Sequence, residues 1–181
     1  KEVPVVSKKL MNVKFKERIA KYASSLIQNG ETVYIDSGTT TELMVKYLKN
    51  KDITIVTTNT QILTQLEDTK FECILIGGEI IKNLGSTVGS LTDRILSEFH
   101  FSRAFLGANG YSEVNGVSTY DLREANKKRI VKKNSDKTYV LLDSSKIGKN
   151  AVCRVFELEE IELITDKMND ALKKYNNYVI V

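Results

Sequence analysis

Six consecutive residues, Asp36-Ser37-Gly38-Thr39-Thr40-Thr41, carry the clearest chemistry in this chain of 181 residues. Four hydroxyls around one glycine make a turn that can offer O–H groups and unpaired backbone N–H groups to an anion, a phosphate above all. The Gly-Lys-Ser/Thr ending of a nucleotide P-loop is missing, and so is the GxGxxG spacing of a dinucleotide site. Asp36 would repel a bare phosphate. It is therefore expected to accept a hydrogen bond from a sugar hydroxyl, or to organise the loop. The plainer alternative is that Ser37 or Thr39 only caps a helix.

Four further turns have the same small, polar character. Thr57-Thr58-Asn59-Thr60 replaces an apolar continuation with hydroxyl and amide groups, although Asn59 or Thr60 would also serve as an ordinary N-cap. Gly77-Gly78-Glu79 lets a backbone approach a ligand, and a simple β-turn explains it equally well. Gly107-Ala108-Asn109-Gly110 brackets an amide with two glycines, as a hairpin turn also would. Asp143-Ser144-Ser145-Lys146 sets an ammonium where it could meet a ligand phosphate. The segment Asp121 to Arg129 opens a helix with acid first and base later, which suits a solvated face, while Glu124 or Lys127 could project into a pocket.

These turns need a scaffold that gathers them. Strand-like and helix-like segments alternate, which predicts an α/β fold with a mainly parallel sheet covered by helices on both faces. Helices are expected at Asn12–Gln28, Thr39–Leu48, Gln61–Leu66, Leu91–Glu98, Leu122–Asn134 and Asn169–Tyr175. The first should bury Val13, Ile19, Ala20, Ala23, Leu26 and Ile27. Strands are expected at Thr32–Asp36, Ile53–Thr57, Glu72–Ile76, Arg103–Leu106, Thr138–Leu142 and Glu162–Thr165, with a Gly/Ser/Thr-containing connection over Asn83–Ser90 and a terminal segment Tyr178–Val181. In such a sheet ligands bind at the carboxyl ends of the strands, where the polar turns lie.

Composition narrows the function. A net charge of +4 is mild for holding nucleic acid by this surface alone, but ample for a small anion. The two cysteines, Cys73 and Cys153, sit in apolar stretches and are expected to be free, buried thiols of a cytoplasmic protein. One histidine, His100, leaves no metal cluster or Ser-His-Asp triad in view, and no cofactor is expected. No apolar run is long enough for a membrane span, so no membrane partner is expected. The chain starts at Lys1 without an initiator methionine, as a fragment would, so a module on its N-terminal side is expected. Residues 1–12 read as a linker remnant or N-terminal arm, and residues 13–181 as one ligand-binding domain.

The series Ile35–Thr41 (IDSGTTT), Val56–Asn59 (VTTN), Ile74–Ile80 (ILIGGEI), Val88–Ser90, Phe105–Ser112 (FLGANGYS), Gly116–Arg129 (GVSTYDLREANKKR), Leu141–Gly148 (LLDSSKIG) and Leu163–Asp166 (LITD) resembles the C-terminal effector-binding domain of DeoR-family transcriptional repressors. The resemblance runs from Lys14 almost to the end of the chain, and Thr60 departs from the serine common in the family. It implies a fold similar to that of ribose-5-phosphate isomerase and the coenzyme A transferases, and a phosphorylated sugar effector. It also implies contact with DNA only through an absent N-terminal winged helix-turn-helix, and a homo-oligomer, dimer or tetramer. Carried over by motif, the effector site comprises Asp36, Ser37, Gly38, Thr39, Thr40, Thr41, Thr58, Asn59, Gly77, Gly78, Asn109, Glu124, Lys127 and Lys146, with no catalytic residue. The alternatives are a sugar-phosphate isomerase, for which Asp36 or Glu124 could act as base, and a structural oligomerisation domain.

Overall fold

The computed structural model of the chain describes residues 2–181; Lys1, part of the expected arm, lies outside the described residues. Helices α1 (Val5–Lys9) and α2 (Val13–Ser25) come first, then β1 (Thr32–Ile35), α3 (Thr39–Glu42), α4 (Val45–Leu48), β2 (Thr54–Thr57) and β3 (Glu72–Leu75). A hairpin of β4 (Glu79–Ile81) and β5 (Ser86–Val88) leads into α5 (Ser90–Leu96) and β6 (Phe101–Leu106). A second hairpin, β7 (Gly110–Ser112) with β8 (Gly116–Thr119), precedes α6 (Leu122–Lys133) and β9 (Ser135–Leu141). Strands β10 (Cys153–Phe156), β11 (Glu162–Thr165) and β12 (Tyr178–Ile180) follow.

Seven strands form one sheet in the order β12-β11-β9-β6-β1-β2-β3, and every neighbouring pair is parallel. Side chains alternate between its faces because the strand period is two. Val33 and Ile35 of β1 join Ile19, Ala20, Ala23 and Ile27 of α2 and Val45 and Leu48 of α4 in one core. Tyr34, from the same strand, points the other way, into a core with Leu96 of α5 and Ala125 and Val131 of α6. The expected two-faced α/β architecture is therefore the observed one. From β1 the chain builds outward to β2 and β3, then returns to build β6, β9, β11 and β12 on the opposite side. The reversal places a crevice between the carboxyl ends of β1 and β6, the usual ligand position in an open parallel sheet.

Local structure departs from the sequence expectations where side chains or tight turns claim backbone groups. The helix expected over Thr39–Leu48 is broken at Leu43 and Met44, whose N–H groups donate to the carbonyls three residues back, Thr40 and Thr41, as in a 3-10 turn. Thr60–Gln65 and Asp170–Leu172 are 3-10 turns rather than α-helices, each started by an asparagine side chain that accepts from the N–H two residues on. Helix α2 stops at Ser25, and Val13 of its expected buried stripe is 44% exposed. The connection expected over Asn83–Ser90 contains β5. Cys73 and Cys153 are free but only half-buried, since each lies towards the margin of its core. Among the described residues no helix is long and apolar enough to cross a membrane.

The hairpin β7–β8 pairs with β10 in a small antiparallel sheet that closes over α6. Gly116 makes this possible. Its φ is +60°, and a Cβ there would stand 2.2 Å from the Phe156 carbonyl oxygen, which is backbone and cannot swing aside. Gly116→Ala should therefore cost about 2 kcal/mol or more, because left-handed strain and overpacking add. Urea denaturation should show a lower midpoint with an unchanged slope.

Candidate functional site

The crevice at the strand reversal is bounded by the turn after β1 and the turn after β6. Their glycines face each other: a Cβ on Gly38 would lie 3.6 Å from Gly107 Cα, and the converse distance is the same. Gly38 has a φ of −75° and ψ of 159°, which any residue adopts, so close approach rather than turn geometry favours glycine here. Beyond the glycines opens a cleft that is partly open to solvent.

One wall of the cleft is set up for an anion. The N–H groups of Gly38, Thr39, Thr40 and Thr41 have no acceptor among the described residues. Thr41 Oγ1 is committed, at 2.9 Å to both the Asp36 and Gly38 carbonyls, which stiffens the turn. Thr40 Oγ1 makes no hydrogen bond among the described residues, and Thr39 Oγ1 accepts from Lys16 Nζ at 3.1 Å. Lys8, Lys16 and Lys146 all line the cleft. Burial lowers the Lys16 pKa, Asp143 acts the other way, and the positive charges of Lys146 and Lys8 lower it further. An ammonium disfavoured in this way gains from any anion placed among the three.

The floor is a closed ring of buried polar groups. Tyr34 Oη donates to Asp36 Oδ1 at 3.3 Å and shares a 2.7 Å hydrogen bond with Thr58 Oγ1. Thr58 Oγ1 accepts from Lys127 Nζ at 3.0 Å, and the same ammonium reaches Ser86 Oγ, the Thr87 carbonyl and Glu124 Oε1. Glu124 Oε2 meets Lys128 Nζ at 3.4 Å, and Lys128 donates to Asp36 Oδ2, closing the circuit. Asp36 Oδ2 also accepts the Gly107 N–H at 3.0 Å, which ties the floor to the second turn. Burial alone would raise the Asp36 pKa, but the charges of Lys128 and Lys127 outweigh it and hold the carboxyl at about 2. Lys127 and Lys128 overcome burial at Glu124 in the same way, so its pKa falls below the usual value. At Lys128 burial pulls the pKa down, and Asp36 and Glu124 raise it more.

The structure brings together most of the residues singled out from the sequence. Asp36, Ser37, Gly38, Thr39, Thr40, Thr41, Asn109, Glu124 and Lys146 line the cleft. Five others do not. Thr58 and Lys127 lie beneath it in the ring, fully buried and saturated with internal partners. Asn59 caps the 3-10 turn after β2, and Gly77 accepts from Thr92 Oγ1 at 2.7 Å. Gly78 borders a separate recess with Glu79 and Leu91, where a Cβ would collide with Thr92 Oγ1 at 1.9 Å. Their turn feeds the β4–β5 hairpin, which bridges back to Asn59 and brings Leu84 and Ser86, though neither glycine, to the cleft.

Sequence reasoning missed Lys128, which lies at the cleft in place of Lys127. The i, i+4 spacing from Glu124 was a usable signal for it, although the i, i+3 partner Lys127 made the choice ambiguous. Glu2, Lys8, Asn12 and Lys16 also line the cleft, brought there by α1 and the first turn of α2. No group of three His, Cys, Asp or Glu side chains among the described residues is placed to hold a metal ion.

A family model described as the DeoR C terminal sensor domain matches residues 11–167. The lactose phosphotransferase system repressor of Streptococcus mutans is 32% identical over 183 residues, which covers 98% of this chain and 72% of that protein. The Bacillus subtilis HTH-type transcriptional regulator FruR is 30% identical over 178 residues, covering 98% and 70%. Among solved structures, ribose 5-phosphate isomerase A from Methanocaldococcus jannaschii matches with a TM-score of 0.53 at 19% identity, over 75% of this chain and 55% of that one. The delta subunit of eIF2B from Chaetomium thermophilum gives 0.53 at 13% identity, over 81% and 58%. The chain thus spans little more than half the length of these solved structures, and at such identities the likeness concerns the fold alone.

The ring makes two outcomes measurable. Asp36→Asn leaves the buried Lys128 without its main counter-charge and should cost about 3–5 kcal/mol, whereas Asp36→Asn combined with Lys128→Met should cost less than the sum of the two single changes. Asp36 has an ordinary pKa of 3.8 and is held at about 2 in the fold. A carboxylate depressed in this way contributes stability above the unfolded value and loses it as pH falls through the folded one. The melting temperature should therefore drop steeply between about pH 4 and pH 2. The Asp36→Asn variant should lose less over that window, as differential scanning calorimetry would show.

Proposed function

The chain belongs to the DeoR C-terminal sensor domain family, and from that membership we propose that it senses a phosphorylated sugar and regulates a transcriptional repressor of sugar metabolism. The observation that carries this reading is the anion wall: four backbone N–H groups and a threonine hydroxyl with no hydrogen-bond partner among the described residues, and three lysines, lining a cleft at the strand reversal. Such a wall suits a phosphoryl group, which needs several donors at once. Asn109, Ser86 and the carboxylate-bearing floor beside it suit the hydroxyls of a sugar.

Residues 13–181 form the sensor in this reading. Residues 1–12 join it to a winged helix-turn-helix that alone contacts DNA. The assembly is a homo-oligomer, dimer or tetramer, in the cytoplasm. Regulation works by linkage, since an effector that binds one arrangement of the oligomer better shifts the population towards it. A coupling of about 1–3 kcal/mol changes operator affinity roughly 5- to 150-fold.

An isomerase is the second reading, favoured by the likeness to ribose-5-phosphate isomerases and by the two carboxylates in the floor. A general base works best with a pKa near the operating pH. Asp36 is held at about 2, and Glu124 is also depressed, with ammonium partners occupying both. The electrostatics therefore favour binding over proton abstraction, and no catalytic residue or cofactor is proposed.

Thr40→Asp puts a negative charge against the anion wall. It should weaken hexose-phosphate binding at least about a hundredfold in calorimetry while leaving the melting temperature and circular dichroism near those of the parent. Unchanged affinity would remove the assigned wall. A coupled assay with the same hexose phosphates should show no turnover, and measurable turnover would return the isomerase reading to first place.

A further inference from the structure

Helix α1 lies across the mouth of the cleft and is held there by polar contacts. It buries none of its five residues, and it exposes Val6 and, just after the helix, Leu10. Its tethers are few. The Val5 N–H donates to the Asn83 carbonyl at 2.9 Å, and Lys16 Nζ donates to the Lys8 carbonyl at 2.6 Å. Lys9 reaches Glu42 at 3.2 Å. The remaining tether runs through Glu2, whose Oε1 accepts from Asn109 Nδ2 at 3.2 Å and pairs with Lys8 Nζ. A carboxylate from the chain itself thus sits on an amide that the cleft presents to its contents.

Charge shows what could exchange with it. At the mouth, Lys8, Lys16 and Lys146 face two carboxylates, Glu2 and Asp143. Asp143 is engaged by Asn12 Nδ2 and the Ser145 N–H at 3.1 and 3.0 Å, so it is fixed in the wall. Among the described residues, the Glu2 carboxylate is held by the two contacts named. If it withdraws, three ammoniums remain against one carboxylate, an excess that matches the charge of about −1.5 to −2 on a phosphate monoester at neutral pH. Asn12, in a left-handed conformation with φ of 54°, separates α1 from α2 and provides a turning point for such a withdrawal.

We propose that Lys8 belongs to the effector site and that the Glu2 carboxylate is its resident counter-ion, displaced by the effector's phosphoryl group so that α1 is released from the mouth of the cleft. This rests on the sugar-phosphate reading above. It adds how occupancy is transmitted: a segment leading directly towards the proposed DNA-binding module changes its attachment when the cleft fills. An internal competitor lowers apparent affinity by the fraction of molecules it leaves open.

The test is calorimetry of the full chain with inorganic phosphate, fructose 1-phosphate and fructose 6-phosphate, together with hydrogen exchange at the Val5 amide. Glu2→Gln should tighten binding by about tenfold, Lys8→Met should weaken it by about tenfold, and the double variant should bind no better than Lys8→Met. Saturating ligand should speed exchange of the Val5 amide, whose acceptor is lost when α1 leaves. Binding by the parent with equal affinity in Glu2→Gln, or slower Val5 exchange on saturation, overturns the displacement while leaving the sensor reading intact. Binding by neither parent nor Glu2→Gln overturns both.

Discussion

Two lysines and two carboxylates buried in the floor of the cleft, Lys127, Lys128, Asp36 and Glu124, constrain everything above them. A single buried ion costs several kcal/mol, so each of the four is tolerable only while the other three stay in place. Tyr34 and Thr58 complete the circuit with hydroxyls, and no member can move without leaving another unsatisfied. Networks of this kind specify geometry more than they add stability. Here the geometry specified is the position of the turn after β1, because Asp36 is both a member of the ring and the first residue of that turn.

Rigidity then passes outward through the backbone. Asp36 Oδ2 binds the Gly107 N–H, and Thr41 Oγ1 binds the Asp36 and Gly38 carbonyls, so the turns on either side of the strand reversal are fixed to one carboxylate. The N–H groups of Gly38 to Thr41 in the first turn, which have no acceptor among the described residues, are thereby left available to the cleft at no further cost in ordering. A site prepared in this way spends little of its binding energy on arranging itself. The opposite lip is built differently: α1 is held by a handful of polar contacts with almost no apolar burial, and such segments open most readily.

The architecture was readable from pattern. Alternation of strand-like and helix-like runs, and the unbroken apolar run Val33-Tyr34-Ile35, specify a covered parallel sheet because each strand must bury both faces. Short elements were less readable. Thr39–Leu48 has helical periodicity, yet the chain tightens at Leu43 and Met44, whose N–H groups donate to Thr40 and Thr41, a local change that apolar spacing does not register. Strands β4, β5, β7 and β8 lie in two short hairpins whose glycine- and hydroxyl-rich sequences read as turns, and β10 forms by pairing with β8, which is distant in sequence.

By itself the sequence determined the chemistry on offer: the hydroxyl-rich turn at Asp36–Thr41, the glycine-flanked Asn109, the basic helix carrying Glu124, and the family to which their order belongs. Local composition suffices for these, since they depend on residue type and short spacing. Only the tertiary structure decided which of them share a wall. It turned Lys128 to the cleft and Lys127 into the core, sent Gly77 and Gly78 to another recess, and brought Glu2, Lys8 and Lys16 across from the far end of the chain. The reason is that a one-residue step on a helix swings a side chain by about 100°, and the path of a loop after its strand is set by packing partners distant in sequence.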